Sequence, residues 1–236
     1  DAPNPSRYGY PPRAFLITDW WDDYIDPGED TCNGLSDLDD GTMGYAYRRN
    51  YGYYCGSERA VAYRTMISAR RGVNAYGSLS YMFGDGSEWF ADIQAGYHKL
   101  ALFRAPRSWA LMTPDGTEWD YFYNQDTEQL EYWQRQFTLE EMGGLKNGMV
   151  RTTQKTFGVT TGFKGTFAQD WDYEVALSHS QYKAEISWPQ IIAAKANALF
   201  LGPLLGYDDD GYPIYDAPYD RMYTPLTREQ YDSISA

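Results

Sequence analysis

The sequence has no long apolar run. Among 236 residues, no stretch approaches the 18 apolar residues that a transmembrane helix needs, and the mean hydropathy is -0.63. Basic excess is also missing: 20 Lys and Arg stand against 33 Asp and Glu, for a net charge of -13. That balance argues against a nucleic-acid partner, which requires a basic face. No run of Lys or Arg suggests a contact with anionic lipid. Histidine and cysteine are scarce, at two each. Zinc is disfavoured because no His lies near Cys32 or Cys55 in sequence. In an oxidising compartment these two would form a local disulfide, and in a reducing one two thiols. The chain also lacks a Gly-x-Ser-x-Gly elbow, a phosphate-binding loop and a His-Glu-x-x-His pair. Acid pairs such as Glu140-Glu141 have no fixed separation that would mark a glycosidase. The expectation is a protein that is not an enzyme.

Aromatic residues are abundant, with 23 Tyr, 8 Trp and 10 Phe. Many fall in two alternating hairpins, 73–98 and 157–180. Successive side chains of a strand point to opposite faces. One face reads Val73, Leu79, Tyr81, Phe83, Trp89, Ile93, Tyr97, Phe157, Val159, Phe163, Phe167, Trp171, Tyr173, Val175, Leu177. The other carries Asn74, Ser78, Asp92, Gln94, His98, Lys164, Asp172 and Glu174. A soluble β-sandwich alternates as well, with its apolar face turned into a core. A transmembrane β-barrel adds aromatic girdles at the membrane interfaces and a polar interior. Here the aromatics gather beside both short turns, and charges lie near mid-strand on the polar face. The expected fold class is therefore all-β: an antiparallel transmembrane β-barrel segment with short periplasmic turns and long extracellular loops.

The hairpins are expected at about 63–103 and 153–187, separated by long loops at about 19–62, 104–152 and 188–236, all within one barrel domain spanning 1–236. Thr138-Leu-Glu-Glu141 reads as a capping box, and 191–200 as a short helix. Four or five strands cannot close a barrel, because an open edge in lipid leaves backbone groups unpaired. The expected partners are thus further barrel strands and the lipid bilayer. Both ends of the sequence read as cut from a longer protein.

The loops carry the candidate site. Trp20, Trp21, Tyr53, Tyr54, Trp119, Tyr121 and Trp133 crowd them, either packing the loops together or offering stacking surfaces to a ligand. Nine carboxylates and no Lys or Arg lie between Asp19 and Asp40. No cofactor is expected, although two acidic runs ending in a turning glycine suit calcium: Asp37, Asp39, Asp40 and Asp208, Asp209, Asp210. Neither has EF-hand spacing, and a solvated turn is the alternative for both.

Tyr51-Gly-Tyr-Tyr-Cys-Gly-Ser57 with Ala62-Tyr-Arg-Thr65, Gly162-Phe-Lys-Gly-Thr-Phe167 with Asp170-Trp-Asp-Tyr-Glu-Val175, and Phe200-Leu-Gly-Pro203 together resemble the β-barrel of TonB-dependent outer-membrane receptors. The kind is the large one common in Gram-negative bacteria of the Xanthomonas–Lysobacter sort. The resemblance covers most of residues 45–206. It implies a 22-strand barrel filled by a plug that this chain lacks, in the cell outer membrane, with the long loops extracellular. It also implies a TonB partner and the import of a scarce small nutrient: a siderophore, oligosaccharide or peptide. The rival expectations are a soluble secreted carbohydrate-binding β-domain and a surface adhesion barrel without transport.

Overall fold

Four long strands pair in the register that the alternation demands. They are β4 (Ala69–Met82), β5 (Glu88–Leu102), β9 (Val150–Phe167) and β10 (Trp171–Ser187), antiparallel in the order β10-β9-β5-β4. The computed structural model describes residues 11–59, 64–112, 120–167 and 171–236. Its contacts divide the chain into two units. The four strands make up one, from residues 66–102 and 150–188; the remainder forms the other.

In the four-stranded unit, Gly77 pairs with Ile93, Ile93 with Val159, and Val159 with His179. One row over, Leu79, Ala91, Thr161 and Leu177 stand in line. Odd-numbered residues therefore share one face across all four strands, and even-numbered residues the other. The turn after β4 closes through a hydrogen bond from the Phe83 amide to the Ser87 carbonyl (2.7 Å), with Gly86 at φ +84°. Residue 86 needs that left-handed backbone, which glycine adopts without strain. No barrel closes among the described residues, and none of their strands covers the outer edge of β4 or β10.

The second unit holds β1 (Arg13–Asp19), β2 (Met43–Arg48), β3 (Gly52–Ser57), β6 (Ser108–Ala110), β7 (Phe122–Asn124), β8 (Gln129–Gln136), β11 (Gly206–Tyr207) and β12 (Pro213–Tyr215) in one sheet. Among the described residues, five short helices accompany it: α1 (Glu29–Asn33), α2 (Leu139–Met142), α3 (Ala193–Phe200), α4 (Asp220–Tyr223) and α5 (Arg228–Ile234). The segments expected as loops at 19–62, 104–152 and 188–236 thus build a cored body. Phe15, Phe122, Trp133, Phe137, Phe200, Met222 and Tyr231 belong to its main cluster. The capping box forms, with Thr138 and Glu141 satisfying each other's backbone amides.

Strand β8 explains why this body looked like loop. Its buried face is Glu131, Trp133 and Arg135, each 0% exposed. An acid and a base at inward positions hide the period of two. Both are held by hydrogen bonds, Arg135 by an ion pair as well. Glu131 accepts from the Trp133 indole (2.7 Å), Asn124 (3.0 Å), Thr127 (2.6 Å) and Tyr219 (2.7 Å). Arg135 pairs with Glu141 and donates to the carbonyls of Met222 and Thr224.

Cys32 of α1 and Cys55 of β3 form a disulfide buried in the main cluster. Closing a loop of about 24 residues contributes about 3 kcal/mol by loop-closure entropy. The pair of substitutions Cys32→Ala and Cys55→Ala should lower the unfolding free energy of this unit by that amount, read from denaturant titration by near-ultraviolet circular dichroism. Unchanged stability would mean the bridge constrains nothing.

Candidate functional site

A turn at the end of β1 presents two tryptophans. Asp19 Oδ1 accepts the amides of Trp21 (2.8 Å) and Asp23 (3.0 Å), and Asp22 takes a left-handed backbone at φ 64°. An aspartate suits both roles, since its short side chain bonds nearby amides and tolerates that conformation. The turn leaves Trp21 79% and Trp20 48% exposed. Trp20 meets Tyr121 edge-on at 5.3 Å and Tyr212 at 5.8 Å; Tyr121 meets Tyr132 at 5.9 Å. The Tyr121 hydroxyl donates to Asp22 Oδ1 at 3.0 Å. Burial and that carboxylate raise the Tyr121 pKa, and burial pushes Tyr132 up to about 12. Both phenols therefore stay neutral donors at physiological pH. The result is a surface of fixed rings beside Asp19, Asp22 and Asp23, able to stack on an apolar ring face and accept hydrogen bonds.

A second aromatic group lies on β2 and β3. Tyr45 and Tyr53 stack with centroids 4.6 Å apart, and Tyr47 leans on Tyr53 at 4.8 Å. The Tyr45 hydroxyl is held by both oxygens of Asp26 (3.0 and 2.9 Å). Burial, then Asp26, raises the Tyr45 pKa.

The structure sorts the seven aromatic candidates. Trp20 and Tyr121 come together, Trp21 stands exposed next to Trp20 on the same turn, and Tyr53 joins the second group. Tyr54 and Trp133 are corrections: they are 1% and 0% exposed, Tyr54 donating to the Pro11 carbonyl (2.5 Å) and Trp133 to Glu131. Tyr54 packs with Leu16, Tyr24 and Ala46, and Trp133 lies in the main cluster. Trp119 lies outside the described residues. Tyr212 was missed as part of the site because its run, Asp208 to Tyr212, read as a calcium loop. Asp208 Oδ1 instead accepts the amides of Asp210 (3.0 Å) and Tyr212 (2.7 Å), and this turn sets Tyr212 beside Trp20.

Among the described residues no three His, Cys, Asp or Glu side chains converge to hold a metal. Asp37, Asp39 and Asp40 follow this pattern. Asp39 is buried, and the amides of Asp39 and Asp40 donate to the Glu140 carboxylate at 3.0 and 3.2 Å. Burial, opposed by a Ser57 hydrogen bond and reinforced by Glu140, pushes Asp39 up to about 6. Its protonated form contributes stability that is complete below the unfolded value near 3.8 and lost as pH rises through about 6. Asp39→Asn should therefore raise stability at pH 7.5 by about 1–2 kcal/mol and change little at pH 3.5. Thermal unfolding at the two pH values checks this; an equal shift at both would exclude a titrating Asp39.

The four-stranded unit has a second exposed surface. Val73, Leu79, Tyr81, Phe163, Phe167, Trp171, Val175 and Leu177 are exposed on the odd face, seven of them at 60% or more. The even face carries a cross-strand polar net: Tyr76 to Asp92 (2.6 Å), His98 with Asn74 (2.8 Å), Thr160 with Ser178 (2.9 Å) and Thr166 to Asp172 (2.8 Å). Phe90 and Met82 share it, so the face is polar rather than uniformly so. No family model matches the chain, and no curated protein matches it.

Proposed function

We propose that the chain is part of an outer-membrane receptor of the TonB-dependent kind, with the four long strands as a stretch of barrel wall. The observation that carries this reading is an exposed apolar face with a polar face behind it, in unbroken register over four strands. From Phe157 to Phe167 is ten residue steps, about 34 Å at ~3.4 Å per residue. Strands tilted by ~40° project that to about 26 Å, against an apolar band of ~25 Å in such barrels. The band is also staggered. It ends at Val73 on β4 but at Leu177 on β10, which stands level with Leu79. Tilted strands crossing a flat layer give such a stagger. The open edges of β4 and β10 call for further strands, since unpaired backbone is costly in lipid. Short turns on one side and long excursions on the other fit periplasmic and extracellular ends.

In this reading the cored unit built from the excursions captures the ligand, and the role is binding and passage. The Trp20–Tyr121–Tyr212 rings sit in the most acidic part of the chain. An anionic ferric siderophore is repelled there, whereas a neutral oligosaccharide stacks on the rings and bonds to the carboxylates. Trp21→Ala should weaken oligosaccharide binding about ten-fold, the loss of one stacking ring (roughly 1–1.5 kcal/mol). Titration of the detergent-purified protein with a panel of neutral oligosaccharides, oligopeptides and ferric siderophores reads this directly. Siderophore binding unaffected by Trp21→Ala would contradict the assignment. The membrane role is tested by alkaline washing of the source membranes: the protein should remain with the bilayer. Release into the aqueous fraction would favour the soluble carbohydrate-binding alternative, with the same aromatic surface as its site.

A further inference from the structure

The register brings together cations that lie far apart in sequence. On three adjacent strands, the next odd-face residue beyond the apolar band is basic: Arg71 follows Val73, Lys99 follows Tyr97, and Lys155 follows Phe157. Arg71 lies directly opposite Lys99, and Lys155 directly opposite Lys183. Lys99 and Lys155 are diagonal neighbours, since Lys155 pairs with Tyr97. Directly opposed side chains have Cβ atoms about 5 Å apart, and like charges so placed destabilise a sheet. All four side chains are exposed. The acid beside them, Glu185, pairs with Lys183 at 2.8 Å and also feels the Lys155 charge, which leaves Arg71 and Lys99 directly opposed. Lys99 also stands over the Tyr97 ring at 5.7 Å, at the rim of the band. A shallow hollow beside Arg71 and Lys99 is lined also by Ala69, Ala101, Arg151 and Thr153.

A chain of net charge -13 that sets like charges opposite each other, at the rim of an apolar band, offsets that repulsion with an anion. We propose that Arg71, Lys99 and Lys155 bind the phosphate groups of anionic lipid headgroups, whose acyl chains lie along the apolar face below. This rests on the membrane reading above. The surface suits a molecule charged at one end and apolar along the rest. A free phosphate would use the cations and leave the adjoining band bare. The absence of any Lys or Arg run in the sequence therefore misleads: the cluster exists only once the strands pair.

The test is lipid retention. Detergent-purified protein is equilibrated with phosphatidylglycerol or with phosphatidylcholine, and retained lipid is counted by native mass spectrometry across a salt series. Phosphatidylglycerol should be preferred and should be lost as salt rises. The triple variant Arg71→Gln, Lys99→Gln, Lys155→Gln should weaken that preference roughly 100-fold, at about five-fold per cation. Lys164→Gln, on the opposite face, should leave it unchanged. Equal retention of both lipids, or retention insensitive to salt in the unmodified protein, overturns the proposal while leaving the membrane reading intact. Displacement of phosphatidylglycerol by millimolar inorganic phosphate overturns it in favour of a free-anion site. Retention of neither lipid removes the proposal and the membrane reading together.

Discussion

Ile93→Arg is expected to prevent stable insertion of the protein into membranes, whereas Gln94→Arg, one residue along, is expected to be tolerated. Ile93 lies halfway along the apolar stretch of β5, between Trp89 and Tyr97, paired to Gly77 on one side and Val159 on the other. It is 42% exposed. At the midplane of a bilayer an arginine on the lipid face costs about 2–4 kcal/mol. On the polar face the same arginine meets water and the Asp92 carboxylate's neighbourhood. In a water-soluble sheet both substitutions would be surface changes within about 0.5 kcal/mol of neutral. The folded, membrane-embedded fraction of each variant, measured after alkaline washing, distinguishes the cases. Equal behaviour of the two variants would place both faces in the same solvent.

The second large effect is expected at Arg135. Its guanidinium lies over the rings of Phe15 and Phe200, at 4.6 and 5.0 Å, and is fully buried with Glu141. Glu141 in turn accepts the amides of Leu226 (2.8 Å) and Thr138 (3.0 Å). One ion pair thus ties β8 to α2 and to the segment joining α4 and α5. Removing one partner strands a buried charge. Arg135→Met should cost about 3–5 kcal/mol. Adding Glu141→Gln should recover a large part, because the remaining amide is neutral and keeps one acceptor for the two backbone donors. Urea midpoints of the single and double variants test this. A double variant no more stable than the single would mean that Arg135 acts through packing against the two phenylalanines and not through charge.

Legibility in the sequence followed the interference between local chemistry and period. In β4, β5, β9 and β10 the alternation runs for seven to eleven residues without proline, so which residues share a face could be read directly. The pairing confirms it row by row, through Ile93–Val159 and Leu79–Ala91. In β8 the same period was hidden, because Glu131 and Arg135 are inward and only the fold supplies their partners. Hence Trp133 looked like a loop aromatic and is a core residue. Local signals whose partners are close in sequence did survive: the Thr138–Glu141 capping box and the turn residues Gly84 to Gly86. The aromatic site was half legible. Trp20 and Trp21 announce themselves, but Tyr121 and Tyr212 reach Trp20 only through tertiary packing. The basic row is the extreme case, since Arg71, Lys99, Lys155 and Lys183 sit on four strands with no sequence proximity at all.

The central claim is that the odd face of the four-stranded sheet meets lipid and the even face meets water. The sequence's two cysteines are joined to each other, so single cysteines can be introduced and labelled without competition. A fluorophore placed in turn at Thr156, Phe157, Val159, Thr160, Thr161, Phe163 and Lys164 of β9, in protein reconstituted into bilayers, reports its solvent at each position. Odd positions should be quenched by a lipid-soluble quencher and shielded from an aqueous one, with even positions the reverse. Aqueous quenching at odd and even positions alike would contradict it.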